Sequence, residues 1–437
     1  MVGSTKALIA LVGAHVILAV LFDRIRMAGV LHAIIVVAFG LVAALARQPL
    51  ATGMAMAYAG SSEVLWRLLK LPTPWELSKY TILLLASVHI MRTGTQHRAW
   101  RLPAMVVLLL LPSCLVVAAD PQFNGAKVWE VLSFGLVAPA ALGAALAVAG
   151  TLHFSRREFT ALALSAVLPA VTLAAVTALR TYTRSDLVFT GESNFATSGG
   201  FGPSQVSTML SFGATLSLAV ALETTGNLFQ RVIMLAVAAG VLLQSIMTFS
   251  RGGLYNMVGA IAIALPWLYA RRSLRKWLVG MLVAGALGVG FLFLKADAFT
   301  GGSLSRRFQQ TQTTGRYELV MGDLELFLEH PILGVGPGAS RYARTDMEGV
   351  SAHTEVTRLL SEHGVLGLAV ILLFALAFVR RFASSRSHRD RSLFVMLSAW
   401  AALAQANAAL RTSAPLIAVL LAFAMHDPDG EHTGDLR

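Results

Sequence analysis

The chain has 437 residues, 56% of them hydrophobic and only 13% charged, with a net charge of +12. A water-soluble domain carries about 25% charged residues, so the composition excludes one and points to a polytopic membrane protein. The charge comes from 29 arginines against 6 lysines; positive cytoplasmic loops and anionic lipid account for part of that excess, and arginine is also a planar, forked phosphate ligand.

Apolar runs of about 17–25 residues can cross a bilayer. They recur here at 6–22, 28–46, 77–91, 102–119, 127–150, 158–180, 204–222, 230–249, 253–270, 276–294, 362–379, 392–408 and 412–425. The runs are too continuous for barrel strands, and only helices otherwise satisfy their backbone in lipid. The predicted fold class is all-α, a bundle of about 12 transmembrane helices, since some of the shortest runs at either end are marginal. The stretch 48–76, with Trp66, Arg67, Lys70 and Pro72-Thr73-Pro74, reads as interfacial or partly re-entrant. If the runs alternate, the loops with Arg24/Arg26, Arg92/Arg98/Arg101, Arg156/Arg157, Arg271/Arg272/Arg275/Lys276 and Arg380/Arg381/Arg386/Arg389/Arg391 share one side, the cytoplasmic one.

The organisation expected is a transmembrane bundle over 1–294, a long outward catalytic loop with short helices over 295–361, C-terminal transmembrane helices over 362–425 and a polar cytoplasmic tail over 426–437. The loop 181–203 faces outward as well. The first run lacks a small-residue cleavage site and reads as a retained helix. Cys114 lies in an apolar run and reads as a packed core residue, and no zinc-type Cys/His spacing appears.

The chemistry-bearing residues gather on the outward side. Arg180, Tyr182 and Arg184 leave the run 158–180, and the loop behind them, Gly191-Glu192-Ser193-Asn194 to Gly202-Pro203-Ser204-Gln205, suits wrapping a sugar or phosphate. The plain alternative is a turn with Ser204 near a helix cap. In Ser250-Arg251-Gly252-Gly253 the glycines permit a tight turn and close approach of a ligand to backbone. A helix N-terminus beside Arg251 is an anion site; an interfacial arginine reaching lipid headgroups is the alternative.

Gly315-Arg316 opens an amphipathic stretch in which Leu319, Val320, Leu324, Phe327 and Leu328 fit a helix lying on the membrane or the bundle. Asp323 and Glu325 read as its polar face. Pro331 ends it at Glu329-His330, with His330 structural or capping. Gly334, Gly336 and Gly338 form a flexible turn without the preceding strand that a dinucleotide fingerprint needs. Ser351-Ala352-His353 stands just ahead of a membrane-entering helix, where an imidazole can take a proton from a sugar hydroxyl. Glu355, Arg358 and Glu362 share one helix face. They either hold the arginine and orient substrate or form a surface salt-bridge ladder, the latter preferred for Glu362 and His363.

Taken in order, Ser250-Arg251-Gly252, Gly315-Arg316, His330-Pro331-x-x-Gly334-x-Gly336, and Ala352-His353 ahead of Glu362-x-Gly364-x-x-Gly367 resemble the O-antigen ligase family, which also holds O-antigen polymerases. The resemblance covers about 180–370. It implies a GT-C-like, inverting, metal-independent glycosyltransferase of the bacterial inner membrane with its active site facing the periplasm. It implies transfer of a glycan from undecaprenyl diphosphate to a lipid A–core sugar, amid membrane lipids and with no nucleic acid partner. His353 is then the base, and Arg251 and Arg316 hold the diphosphate. Arg180 and Arg184 are added as donor ligands, Ser250, Gly252, Glu355 and Arg358 as supporting residues, and neither metal nor cofactor is expected. The chain departs from the family pattern at Thr354 and Ser204, where many members have asparagine. The rivals are a polymerase of lipid-linked units and a glycan or lipid transporter. A transporter needs paired broken helices, which the sequence does not show.

Overall fold

The computed structural model describes residues 4–94, 100–185, 187–189, 192–224, 227–310, 315–345, 347–385 and 387–426. Arg98, Gly191, Arg386 and the tail beyond His426 lie outside the described residues. The helices run in order α1 (Thr5–Arg24), α2 (Arg26–Leu45), α3 (Pro49–Leu68), α4 (Leu77–Thr93), α5 (Arg101–Leu110), α6 (Cys114–Ala119), α7 (Ala126–Ala149), α8 (Arg156–Tyr182), α9 (Pro203–Glu223), α10 (Leu228–Met247), α11 (Arg251–Ala270) and α12 (Arg272–Phe299). Short helices α13 (Ser303–Gln309), α14 (Arg316–Glu329) and α15 (Ser340–Ala343) follow. Then come α16 (Glu355–Ser384), α17 (His388–Ala408), a 3₁₀ turn (Ala409–Arg411) and α18 (Ala414–Phe423). The only strands among the described residues, His153–Phe154 and Met425–His426, pair in parallel.

Eleven helical segments among the described residues are long and apolar enough to cross a membrane, and the chain is a multi-pass membrane protein. Their starts follow from local chemistry. Ser155 and Glu158 form a reciprocal capping box at α8, and Pro203 opens α9, where its missing N–H costs nothing. α9 and α8 are almost wholly buried, whereas α12 is almost wholly exposed. The exposed face of α12 carries Trp277, Val283, Leu287 and Phe291, as a surface turned to hydrocarbon requires.

Two sequence readings are corrected. The stretch 48–76 is not interfacial: α3 is a twenty-residue helix packed against α8, α2 and α4 with nearly all its side chains buried. Its Thr52, Ser61, Ser62, Glu63 and Arg67 depress its hydropathy, but they face protein and not lipid. Counting α3 as a full-length helix also moves the α1–α2 turn to the other end of the bundle. There Asp23 pairs with Arg180 at 2.6 Å, so Arg24 and Arg26 lie at the site end. At the opposite end Glu223 gathers Arg389 at 2.5 Å, Arg271 at 2.9 Å and Arg156 at 3.7 Å.

The His-Pro-x-x-Gly-x-Gly turn and the Glu-x-Gly-x-x-Gly segment form one unit. α16 is kinked at Gly364 (φ 60, ψ −139). Around the kink, Val335 N donates to Ser361 O (2.9 Å), Gly336 N to Glu362 O (3.0 Å), and Val365 N to Pro331 O (2.8 Å). A Cβ on Gly334 would lie 2.5 Å from His363 N, and one on Gly364 would lie 2.6 Å from Ile332 C. The glycines thus let two backbones touch, and the turn is fixed where the sequence suggested flexibility. A small apolar cluster of Val117, Phe123, Val131 and Ala339 anchors the same loop to α6 and α7.

α14 is also turned differently from its apolar pattern. Leu319, Asp323 and Leu326 point inward while Leu328 is exposed. Asp323 is buried because Arg344 pairs with it and Thr357 Oγ1 donates to it at 2.9 Å. Glu362 and His363 form no surface ladder either. Both are fully enclosed, Glu362 accepting from Ser340 Oγ at 3.0 Å and His363 Nδ1 meeting Ser113 Oγ at 2.5 Å.

Candidate active site

Three arginines converge at the site end, Arg251 and Arg316 from helix starts and Arg307 from the last turn of the short helix α13. Phe249 adopts φ 59 in the turn before α11. Ser250 N donates to Thr248 Oγ1 at 3.2 Å, and Ser250 O accepts from Ser207 Oγ at 3.1 Å. A Cβ on Gly253 would stand 2.5 Å from Ser207 O and one on Gly252 3.0 Å from Asn407 Oδ1, so α11 lies in backbone contact with α9 and beside α17. That seating puts Arg251 on the first turn of α11, at the positive end of its dipole, with Nη1 donating to Gln310 O.

Arg307 comes from α13. Its guanidinium donates to Phe249 O (3.3 Å), Gln310 Oε1 (3.2 Å) and Ser193 Oγ (3.3 Å). Arg316 opens α14. Burial, and then the charges of Arg251 and Arg307, push the Arg316 guanidinium below its ordinary value. Arg307 is likewise lowered by burial and by Arg251, with Glu192 opposing. Mutually repelling, partly buried cations are costly unless an anion joins them, and a phosphate oxygen is the partner that guanidinium geometry fits.

His353 lies across from them, just ahead of α16. Burial first, then Arg411 and Arg316, lowers the imidazole to about 4, while the backbone of Asn407 and the nearby Arg344 add smaller effects of opposite sign. It is therefore neutral at pH 7. Its Nδ1 is buried and has no hydrogen-bond partner among the described residues, and a buried polar atom is ordinarily hydrogen-bonded. Thr354 caps α16, its Oγ1 accepting from Thr357 N at 3.2 Å. Asparagine caps as well as threonine does, so the departure at Thr354 preserves the cap.

The supporting residues form a buried brace. Glu355 accepts from Arg358 Nε at 3.1 Å and from Leu410 N at 2.9 Å, and Arg358 Nη1 donates to Phe134 O at 3.2 Å. The brace ties the start of α16 to the 3₁₀ turn that carries Arg411 and to α7. Arg344 pairs with Asp323 and donates to Val350 O, fixing the segment before His353 from the other side. Breaking a buried ion pair costs about 3–5 kcal/mol, so Arg358→Ala is expected to lower the protein's thermal midpoint sharply. A midpoint within a degree of wild type in detergent would show the brace to be dispensable.

Other residues singled out from sequence fall elsewhere. Arg180 is engaged with Asp23 and with Gly199 O at 2.9 Å, and Arg184 is exposed beyond the end of α8. The loop after them is tied down internally. Asn194 N donates to Thr248 O (3.0 Å), and Asn194 Oδ1 accepts from Thr197 N (3.1 Å). Ser204 lies inside α9, whose cap is Gly202. Arg307, which completes the arginine ring, and Arg411, whose charge acts on His353, gave no sequence signal, because neither stands beside glycine or in a recognised motif.

A ring of guanidiniums facing a neutral imidazole can hold a diphosphate while a base acts on a hydroxyl next to it. No group of three or more His, Cys, Asp or Glu side chains among the described residues is placed to hold a metal ion. No curated protein matches the chain. Residues 234–372 match the family model described as O-Antigen ligase. That span takes in Arg251, Arg307, Arg316, the glycine clamp and His353, and over it the chain is similar to the O-antigen ligase family.

Proposed function

We propose that the protein is an O-antigen ligase of GT-C-like architecture, resident in the bacterial inner membrane with its site open to the periplasm. The donor is a glycan on undecaprenyl diphosphate, and the acceptor is a sugar of lipid A–core. Arg251, Arg316 and Arg307 hold the diphosphate. His353 takes the proton of the acceptor hydroxyl, that oxygen attacks the anomeric carbon from the face opposite the diphosphate, and the carbon–oxygen bond to the diphosphate breaks. Undecaprenyl diphosphate leaves with the electron pair, and the anomeric configuration inverts. The observation that carries this reading is the three-arginine ring beside an uncharged imidazole whose Nδ1 has no partner among the described residues. In this reading Arg180 and Arg184 serve the donor only at long range, and the segment 295–361 is the periplasmic catalytic loop.

The test is transfer by purified protein from lipid-linked glycan, with and without lipid A–core. Product on lipid A–core supports ligation. Elongation of the lipid-linked glycan in its absence would make the protein a polymerase, and movement of intact donor across vesicles without transfer would make it a transporter.

Two further outcomes are expected. Charge-assisted hydrogen bonds contribute about 1.5–3 kcal/mol each, so Arg251→Ala, Arg307→Ala and Arg316→Ala should each lower transfer at limiting donor about tenfold or more. Lysine should rescue poorly, having charge without the fork; full activity of Arg316→Ala would remove it from the donor site. Because arginine supplies the positive charge, transfer should persist in excess EDTA. Loss on chelation with recovery on adding Mg²⁺ or Mn²⁺ would overturn metal independence.

A further inference from the structure

A second cavity opens at the same end of the bundle, on the other side of His353. It lies between the end of α3 and the start of α4, with a volume of about 240 Å³, and Trp66, Arg67, Lys70, Trp75 and Ser78 are among its lining. Its inner wall is electrically closed. Arg67 and Lys79 are paired with Glu63 and Glu76 in a buried four-membered network. Its rim is not: Lys70 is exposed, holds the left-handed conformation (φ 51), and is in no ion pair among the described residues. Trp75 is 54% exposed and stacked on the Arg67 guanidinium at 4.6 Å.

The cavity wall is bonded to the 3₁₀ turn that carries Arg411. Arg67 Nη1 donates to Arg411 O at 2.7 Å. Beyond Arg411 and Glu76 a narrow gap is bounded by Ala352, the neighbour of His353. His353 thus stands between two positive groups, Arg316 on the arginine-ring side and Arg411 on the cavity side.

We propose that this cavity is the acceptor subsite and that it takes a sugar bearing an anionic substituent, phosphate or carboxylate. The inference rests on the glycosyltransferase reading, in which the arginine ring is filled by the donor diphosphate and the acceptor must reach His353 from elsewhere. The cavity holds about one to two sugar rings' worth of volume. Indole presents an apolar face to a sugar ring, Lys70 offers positive charge to its substituent, and the cavity wall is bonded through Arg67 to Arg411, whose charge acts on the base.

The test is equilibrium binding of de-acylated, phosphate-bearing lipid A–core glycan to the full chain in a neutral detergent, compared with the same glycan after dephosphorylation. Wild type is expected to bind the phosphorylated form about tenfold more tightly, the worth of one charge-assisted contact. Lys70→Ala should erase that preference, Trp75→Ala should weaken both forms, and Arg316→Ala should leave glycan binding intact. Equal binding of the two forms by wild type, or unchanged binding by Lys70→Ala and Trp75→Ala, would overturn the proposal. So would equally effective displacement by phosphatidylglycerol, which would make the cavity a lipid-headgroup site. Glycan binding that follows this pattern while transfer fails would sink the transferase reading and leave the cavity's ligand class standing.

Discussion

Replacing His353 with alanine should lower glycan transfer by about 10²–10⁴-fold, the usual contribution of a positioned base, while donor binding and folding survive. The pH dependence is the sharper measurement. From sequence alone the inflexion is expected near the ordinary imidazole value of about 6.5. In the structure, burial and the charges of Arg411 and Arg316 bring the group down to about 4. The sign follows directly: the neutral, basic form is the active one, so the rate should be level above the inflexion and fall as pH drops through it. In kcat/KM for the donor, which reports the free enzyme, that fall belongs near pH 4. A bound diphosphate offsets Arg316 and raises the imidazole, so the inflexion in kcat should lie higher. Under the proposed mechanism the arginines would do two things: hold the leaving group, and keep the base weak until the leaving group arrives. Identical inflexions in kcat and kcat/KM would disprove that coupling, and near-wild-type transfer by His353→Ala would move the base elsewhere, with Glu355 the next residue to test.

Much of this was legible in the chain, and the failures have a common cause. Lipid-facing helices such as α1, α2 and α12 announce themselves because their solvent is hydrocarbon. α3 does not, because its surroundings are protein. Its Glu63 and Arg67 are neutralised by each other and by Glu76 and Lys79, so a polar sequence becomes a central helix. The same reasoning inverted Glu362, His363 and Asp323, each of which reads as a surface residue until its partner arrives from a distant segment. Arg251, Arg316 and His353 stand out in the sequence because each sits at the start of a helix or just before one, beside small residues. Arg307 was missed because the contacts that place it, to Phe249 O and Ser193 Oγ, span more than fifty residues of chain and leave no local mark. Hydropathy reads the solvent of a segment, and the α3 network is buried in protein.

The glycine clamp yields the largest expected effect on stability. Gly364→Ala places a methyl group 2.6 Å from Ile332 C and also against Pro331 O, both of them backbone that cannot rotate away. The residue also holds φ 60, ψ −139, a region open in practice to glycine alone. Strain of that kind costs about 1–3 kcal/mol, and the collision adds to it, because relief requires breaking the bond from Val365 N to Pro331 O and then those from Val335 and Gly336 to the kinked helix. The loop 330–345 should detach from α16 as a unit, and Arg344, which fixes the segment before His353, should go with it. The expected result is a lowered thermal midpoint, new protease cleavage within 330–345 and little transfer. Gly349→Ala is the control. That glycine also has a positive φ, 79°, but a Cβ there meets nothing within 4 Å, so only backbone strain remains. If both variants lose the same stability, backbone conformation alone accounts for the loss and the clamp does not. If Gly364→Ala alone becomes cleavable and inactive, the two glycine motifs are there to seat the loop 330–345 on the kinked helix.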